Sequence, residues 1–353
     1  MQILTESDTD IAIAAEALKA GLLVAFPTET VYGLGADAFN VKALAAVFAA
    51  KNRPRFDPLI IHIAGLDSLD RITDLEALAP VLREKTEALA HSLWPGPLTL
   101  ILPKKSEVPD LATAGLPTAA VRFPNHPVAL RLIRASTGAI AAPSANPFGY
   151  LSPTRAEHVA QQLKDRVDYI IDGGRTGVGL ESTVLDMTVS PLRILRPGGT
   201  TKEMIEKVIG PVSQNDPAAL SITGPNSPGM LKSHYAPGTP LYLYESGTII
   251  ALPFVQNEGM LFYDGTTRNS WMKDNVPEAA RTDPLSLSIW TLSETGNSAE
   301  AAANLFETLH IMDDAGLGAI HAQKAPHSAG GLEPAINDRL SRAAAISRRQ
   351  KSP

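Results

Sequence analysis

The sequence contains no cysteine, and this absence removes several classes of protein at once. Without thiols the chain cannot form disulfides, cysteine-ligated zinc sites or iron–sulfur clusters, and it cannot use thiol catalysis. It also lacks an apolar run of about 18 residues, the length that a membrane-spanning helix needs. The first six residues show neither the basic nor the apolar region of a secretory signal. We therefore expect a cytoplasmic protein with no membrane segment.

Positive charge is also scarce, because the formal net charge is -6 at pH 7. A protein that holds nucleic acid along its surface usually carries a basic stripe. In an acidic chain, a short cluster of arginine and lysine is informative, since any cationic site has to be local. The length of 353 residues exceeds one typical hydrophobic core and favours two domains.

Apolar strands alternate with amphipathic helices over residues 1–210, which predicts an α/β domain built on one mixed, twisted sheet flanked by helices. Residues 211–240 are rich in proline and glycine and predict a linker. Residues 241–353 resume the α/β pattern and predict a smaller domain with a Rossmann-like open sheet. The predicted strands are 22–26, 59–63, 98–102, 119–123, 139–142, 169–172, 183–187, 192–195, 241–244, 259–263, 286–291 and 318–321. The predicted helices are 9–20, 41–50, 76–92, 127–135, 154–164, 201–208, 299–316 and 334–347.

Two early motifs suggest a ligand. Residues 26–35 follow an apolar strand and combine two hydroxyls, a carboxylate and two glycines, as in a tight loop around a small polar ligand. The same residues also fit an ordinary strand-to-loop turn. Lys51, Arg53 and Arg55 put three cations within five residues, and these repel unless an anion lies between them. A bound phosphate would supply that anion, although a solvated helix end also attracts cations.

Other candidates stand singly at strand ends or in loops. His62 lies in an apolar strand, a position more typical of a hydrogen-bonded core residue than of a catalyst. Arg122 ends a strand before a proline and could clamp a carboxylate. Ser144 and Asn146 offer neutral hydrogen bonds beside small residues that allow a ligand close to the backbone.

Two further segments leave alternatives open. Ser152 or Thr154 could bind a ligand or only cap the helix that follows. The glycine-rich residues 172–183 suggest a phosphate loop, but the G-x-G-x-x-G order is absent. Arg196 stands at another strand end. No Walker A loop, Ser-His-Asp elbow, histidine-rich metal motif or poised carboxylate pair accompanies these cations. The pattern favours a site that binds anions and positions reactants over covalent catalysis, and it predicts no metal-ligating residue.

Taken in order, the motifs resemble the YrdC-like family in its long two-domain form. The resemblance covers nearly the whole chain and is carried by PTETVYGLG (27–35), KNRPRFDPLIIHI (51–63), WPGPLT (94–99), VRFP (121–124), APSAN (142–146), SPT (152–154), ESTVLD (181–186), LRPGG (195–199), SPGMLKSHYAP (227–237) and GGLEPAINDRLSRAA (330–344).

The resemblance implies that ATP, L-threonine and bicarbonate or CO2 react to give threonylcarbamoyl-AMP and pyrophosphate. It implies that magnesium enters with ATP and that no organic cofactor is needed. The product would pass to a tRNA threonylcarbamoyltransferase complex, which modifies an adenosine beside the anticodon. Weak direct contact with RNA is also implied as possible by the fold.

The resemblance also implies roles for single residues. Lys51, Arg55 and Arg196 would be catalytic, and the linker would fold over the nucleotide as a lid. Threonine would contact Thr28, His62, Arg122, Ala142 and Ser182. ATP would contact Lys51, Arg55, Thr118, Ser144, Asn146, Ser152, Arg196, His234 and Tyr235.

Three alternatives remain at the level of function. The chain could be an RNA-binding module, although its acidic charge argues against that as the main role. It could be a non-catalytic component of a tRNA-modification complex. An O-carbamoyltransferase of the hydrogenase-maturation type would share the YrdC-like domain, but such chains carry cysteine-rich zinc segments that are absent here.

Overall fold

The computed structural model describes residues 1–214, 235–278, 281, 287–326 and 330–349. The chain folds into two compact units. The first comprises Met1–Phe148, Ser152–Gly177 and Glu181–Leu231, and the second comprises Gly149–Leu151, Val178–Leu180 and Lys232–Pro353. The predicted domain limits at 210 and 241 stay a prediction. In the described ranges, no helix combines the length and the apolar character needed to cross a bilayer.

The first unit alternates helices and strands along the chain. Its helices are α1 (Asp8–Lys19), α2 (Val41–Lys51), α3 (Leu69–Ile72), α4 (Pro80–Leu93), α5 (Asp110–Thr113), α6 (Pro127–Ala135), α7 (Ala156–Leu163) and α8 (Lys202–Ile209). Its strands are β1 (Gln2–Leu4), β2 (Val24–Phe26), β3 (Gly33–Asp37), β4 (Ile60–Ile63), β5 (Leu98–Pro103), β6 (Thr118–Arg122), β7 (Ala139–Ala141), β8 (Tyr169–Ile171), β9 (Thr183–Asp186), β10 (Arg193–Arg196) and β11 (Ser213–Gln214).

Side-chain caps fix where several of these helices begin. Ser7 accepts a hydrogen bond from a backbone N–H in the first turn of α1, and Thr201 does the same for α8. Asn40 caps α2 in this way, and Asn52 ends that helix in the left-handed conformation with φ 52°. The last residue of α2 is therefore Lys51.

The eleven strands form one mixed sheet in the order β1-β8-β2-β3-β7-β4-β6-β5-β9-β10-β11. Strands β4 and β6 are parallel, whereas β5 runs antiparallel to β6 and parallel to β9. A large hydrophobic core that includes Ile61, Leu100, Val121 and Leu185 covers one face of these central strands. The predicted mixed, twisted sheet flanked by helices is confirmed.

Strand β3 was not predicted, because residues 26–35 suggested a ligand loop throughout. The second half of this segment instead pairs antiparallel with β2, with Ala25 opposite Leu34. Glycine is needed at position 35, since an added Cβ would lie 2.8 Å from Ile140 Cγ2 and 2.9 Å from Phe26 Cε1. The loop is thus confined to the residues between β2 and β3.

The second unit contains a small, entirely parallel sheet in the order β12-β15-β13-β14. Its strands are β12 (Leu241–Tyr244), β13 (Glu258–Asp264), β14 (Ile289–Ser293) and β15 (Ala319–Gln323), and its helices are α9 (Ser246–Ile250), α10 (Gly265–Asn275), α11 (Ser298–Asp314) and α12 (Glu333–Arg349). Trp271 is fully buried in its core and donates to the carbonyl of Leu252 at 2.7 Å. The predicted smaller α/β domain with an open sheet is confirmed.

Candidate functional site

Five neighbouring strands of the large sheet bring three predicted site residues into one row. His62 in β4 lies opposite Arg122 in β6, and Arg122 lies opposite Thr99 in β5. Thr99 pairs with Val184 in β9, which pairs in turn with Arg196 in β10. At about 4.8 Å per strand, three strand steps separate Arg122 from Arg196 by roughly 14 Å across the sheet.

This row stands on the face of the sheet opposite the large core. Side chains alternate between faces along a strand, so His62 shares its face with Ile60, and Arg122 shares its face with Ala120. Ile60 and Ala120 belong to a small apolar cluster that is completed by Ile101, Val184 and Leu195. His62, Thr99, Arg122 and Arg196 are all buried as well. The site therefore combines buried polar groups with an apolar base.

Arg122 is held by the loop between β2 and β3. Its Nη1 donates to Thr30 Oγ1 at 2.9 Å, and its Nη2 lies 2.8 Å from Glu29 Oε1. Thr28 Oγ1 is 2.8 Å from Thr30 Oγ1 and donates to the carbonyl of Val31 at 2.7 Å. The structure thus joins Thr28 and Arg122, both predicted to contact threonine, through Thr30.

His62 is buried beside Arg122, and both the burial and the positive charge of Arg122 disfavour a proton on its ring. Burial, and then the positive charge of Arg122, lower the pKa of His62 to about 3. Its Nδ1 lies 3.1 Å from the carbonyl oxygen of Ile60, which fits an Nδ1–H donor. The imidazole is therefore neutral near pH 7 and adds no charge to the site.

Lys51 extends from the end of α2 to the loop that follows β7. Its Nζ donates to the carbonyl of Ser144 at 2.5 Å and also to the carbonyl of Asn146. Burial, and then the nearby charge of Arg53, hold the pKa of Lys51 well below its usual range. Three residues predicted to contact ATP, namely Lys51, Ser144 and Asn146, are therefore in direct contact.

The anion beside the Lys51–Arg55 cluster is a side chain of the protein itself. Arg53 forms a buried ion pair with Asp57 at 2.9 Å and donates to the backbone carbonyls of Asp57 and Pro58. Arg53 therefore holds the loop before β4 in place, and no phosphate is needed to balance it. Arg55 is exposed, and the described residues give it no ion pair.

Arg196 and Ser182 meet where β9 and β10 run side by side. Arg196 Nε and Nη2 donate to the carbonyl of Ser182, at 3.1 and 2.9 Å. Ser182 Oγ lies 2.7 Å from Thr99 Oγ1, which links this pair to the row. Ser152 Oγ donates to Glu181 Oε1, so Ser152 belongs to the same neighbourhood. Ser182, which was predicted to contact threonine, therefore lies next to Arg196, which was predicted to contact ATP.

Glycine at position 198 allows the loop after β10 to pack closely against the backbone of residues 181–183. An added Cβ would lie 2.3 Å from the carbonyl oxygen of Glu181, 2.4 Å from the carbonyl carbon of Ser182 and 2.5 Å from the nitrogen of Thr183. The loop after β10 therefore rests directly on the backbone that carries Ser182.

Thr118 and Ala142 lie towards the other end of strands β4 and β6. Thr118 begins β6 and pairs with Pro103, so its Cα is about 13 Å along the strand from that of Arg122. Ala142 donates its backbone N–H to the carbonyl of Ile60 at 2.9 Å. Thr118 therefore lies four residues along β6 from Arg122, and Ala142 lies beside the start of β4.

The capping alternative for Ser152 and Thr154 is wrong. Helix α7 begins at Ala156 with Arg155 at the N-cap position and without a side-chain cap. Ser152 instead binds Glu181, and the backbone N–H of Thr154 donates to His158 Nδ1 at 3.3 Å. Ser152 and Thr154 are both buried.

Of the two predicted contacts in the linker, only Tyr235 lies within the described residues, and His234 lies outside them. Tyr235 belongs to the second unit, where it is 1% exposed and its ring centroid is 5.6 Å from that of Phe306. The prediction that both residues contact ATP stays a prediction.

Sequence reasoning assigned no role to Glu29, Thr30, Thr99 or Glu181, yet each contacts a predicted site residue. Glu29, Thr30 and Glu181 stood inside recognised motifs, so the motif itself was the available signal. Thr99 ended the WPGPLT motif (94–99), but the motif did not indicate its neighbours, because only strand pairing brings Thr99 to Arg122 and Ser182. Within the described ranges, no group of three or more His, Asp or Glu side chains could hold a metal ion.

Comparisons with known proteins identify the family of both parts of the chain. A family profile described as "Telomere recombination", named for Sua5, YciO and YrdC, matches residues 16–198. A second profile, described as "Threonylcarbamoyl-AMP synthase, C-terminal domain", matches residues 200–345.

Similar relatives share the name of the second profile. The threonylcarbamoyl-AMP synthase of Pyrococcus abyssi is 42% identical, over 94% of this chain and 93% of its own. That of Bacillus subtilis is 51% identical, over 69% of this chain and 68% of its own. A crystal structure of P. abyssi Sua5 complexed with L-threonine aligns with a TM-score of 0.81 and 37% identity, over 98% of each chain.

Proposed function

The chain belongs to the threonylcarbamoyl-AMP synthase family, and on this basis we propose that it forms L-threonylcarbamoyladenylate from L-threonine, bicarbonate or CO2, and ATP, with release of pyrophosphate. The similar structure from P. abyssi contains L-threonine, which supports an amino-acid substrate for this chain. The product would then supply a separate complex that transfers the threonylcarbamoyl group to tRNA beside the anticodon.

The observation that carries the proposal is the set of buried cations in the first unit. Lys51, Arg122 and Arg196 are 1%, 3% and 4% exposed, although burying a charged side chain is costly. Arg122 can bind a carboxylate through its planar guanidinium, and Lys51 and Arg196 can bind phosphate oxygens. Threonine would bring the carboxylate and ATP the phosphates, so the two substrates together match the donors of this set.

The reaction needs no nucleophile from the protein. The threonine amine captures CO2 as a carbamate, and a carbamate oxygen attacks the α-phosphorus of ATP while pyrophosphate leaves. The protein has to hold two anionic reactants together and stabilise the charge that develops on the phosphates. The neutral imidazole of His62 stands beside Arg122 in the row without adding charge.

Magnesium would enter with ATP and help to neutralise its phosphates. The described residues provide no cluster of three or more His, Asp or Glu side chains around the row. The ion would therefore be held by the phosphates of ATP and not by a side-chain cluster of the described residues.

The experiment is a pyrophosphate-release assay on the full chain, with threonine and bicarbonate omitted in turn and the adenylate identified by mass spectrometry. We expect release to require both compounds. We also expect Arg122→Lys to raise the KM for threonine about tenfold to a hundredfold and to leave the KM for ATP unchanged, because lysine lacks the planar fork. Arg131→Lys is the matched control, since Arg131 pairs with Asp8 on the surface.

Two outcomes would contradict the proposal. Pyrophosphate release without threonine would indicate that the chain simply hydrolyses ATP to AMP and pyrophosphate. Release with threonine but without bicarbonate would indicate that the threonine carboxylate itself attacks ATP.

A further inference from the structure

The polar groups around Arg122 have unused hydrogen-bonding capacity. Among the described residues, Oε1 and Oε2 of Glu29 accept no hydrogen bond, and Nε and Nη2 of Arg122 donate none. The two side chains are 12% and 4% exposed, so water has little access. Buried polar groups in folded proteins are usually satisfied, and an exception calls for a ligand or an ordered water.

The ion pair between these residues does not use that capacity. Glu29 Oε1 lies 2.8 Å from Arg122 Nη2, yet the contact is off the direction that a hydrogen bond requires. Thr30 occupies Nη1 of the guanidinium. The edge formed by Nε and Nη2 therefore remains, and this edge can bind a carboxylate through two parallel hydrogen bonds.

A zwitterionic α-amino acid has the complementary groups. Its carboxylate accepts hydrogen bonds, as the Nε–Nη2 edge of Arg122 requires, and its ammonium donates them, as the oxygens of Glu29 require. We propose that Glu29 binds the α-ammonium group of the amino-acid substrate while Arg122 binds its carboxylate. This inference rests on the proposed function, in which that substrate is threonine, and it makes Glu29 a specificity residue.

A different role for Glu29 would be to occupy Arg122 only until the substrate carboxylate displaces it. In that role, both oxygens of Glu29 would be expected to accept hydrogen bonds from Arg122, as the oxygens of a substrate carboxylate would. The observed contact involves one oxygen and leaves both oxygens without a hydrogen bond. The geometry therefore favours a carboxylate that awaits a donor of its own.

The test is calorimetric titration of the full chain with L-threonine and with 2,3-dihydroxybutyrate, in which a hydroxyl replaces the ammonium. We expect wild type to bind threonine about tenfold to a hundredfold more tightly than the hydroxy acid, the range expected for a hydrogen bond between charged groups. Glu29→Gln should weaken threonine binding by a similar factor and bring the two ligands to within about threefold. Glu29→Asp, which keeps the charge on a shorter side chain, should fall between them.

Glu16→Gln is the matched control, because Glu16 pairs with Lys19 on the surface of α1 and should behave as wild type. Thermal unfolding of each variant checks that it is folded. Should Glu29→Gln fail to fold, Glu29→Asp and the wild-type preference between the two ligands still decide the question.

The inference fails if Glu29→Gln binds threonine as tightly as wild type or more tightly. It also fails if wild type does not distinguish threonine from the hydroxy acid. A wild-type chain that binds no threonine and makes no adenylate would overturn the proposed function instead. A wild-type chain that makes the adenylate, together with an unchanged Glu29→Gln variant, would overturn only the role of Glu29.

Discussion

At the residue scale, burial sets the charge of the groups in the candidate site. His62 and Lys51 are both buried, and burial is the main cause that lowers the pKa of each. Arginine is the cation that proteins can bury without loss of its proton. The buried arginines of the row therefore suit an anionic substrate better than Lys51, whose pKa burial lowers.

The lowered pKa of His62 predicts a loss of stability in mild acid. The folded pKa is about 3, whereas an unfolded histidine takes up a proton near pH 6.5. The unfolded state thus binds more protons between these values, and the free energy of unfolding falls as the pH falls. From pH 7 to pH 5 this single group should remove about 2 kcal/mol.

The measurement is denaturant unfolding of wild type and His62→Gln at pH 7, 6 and 5. The variant keeps a hydrogen-bond donor but cannot titrate, so its stability should fall by about 2 kcal/mol less than that of wild type over this range. An equal decline in both proteins would mean that folding leaves the pKa of His62 unchanged.

At the element scale, two loops beside the row of site residues are held by tertiary contacts, because they contain no helix or strand of their own. The loop before β4 is held by the buried Arg53–Asp57 pair, whose side chains are 4% and 0% exposed. The loop after β10 is held by its contact with residues 181–183. Such loops position ligand-binding residues only while these contacts persist.

Gly198→Ala should disturb both stability and activity. The new Cβ would meet backbone atoms, which cannot turn aside as a flexible side chain can. We expect a loss of about 1–3 kcal/mol in the free energy of unfolding. Because Ser182 and Arg196 flank the displaced backbone, adenylate formation should fall about tenfold to a hundredfold.

The control for this prediction is Gly177→Ala, since an added Cβ at position 177 has nothing within 4 Å. Its stability should stay within about 0.5 kcal/mol of wild type. Denaturant unfolding and pyrophosphate release measure the two effects, and a fully active, stable Gly198→Ala protein would show that the 181–183 backbone shifts without consequence.

At the scale of the whole molecule, charge argues against nucleic acid as the main ligand. The net charge of -6 opposes a polyanion, and the cations at the site are buried and few. A small-molecule substrate can reach such cations individually, whereas a duplex requires a continuous basic surface.

Without ATP, we therefore expect RNA binding to be weak and strongly dependent on salt. Titration of a tRNA transcript should give no saturable binding up to about 10 µM protein at 150 mM salt, with some binding at lower ionic strength. Binding that persists with a submicromolar Kd at 300 mM salt would favour the RNA-binding alternative.

Local sequence determined which elements form and which motifs they carry. The predicted bounds of helix 127–135 and strand 241–244 agree with the structure, because proline at a helix start and a short run of apolar and aromatic residues act locally. Strand β3 was missed, since two glycines in a polar motif gave no strand signal. The motifs were sufficient to indicate the family, because each retains residue types suited to one chemistry.

Only the tertiary structure decided which of these residues meet. The row from His62 to Arg196 exists because strands that are distant in the chain are neighbours in the order β4-β6-β5-β9-β10. Arg53 bonds to the side chain and the backbone of its own loop, whereas Arg122 keeps two nitrogen atoms without a hydrogen bond among the described residues. Sequence could identify these charged residues, but their roles depend on partners that burial and strand register select.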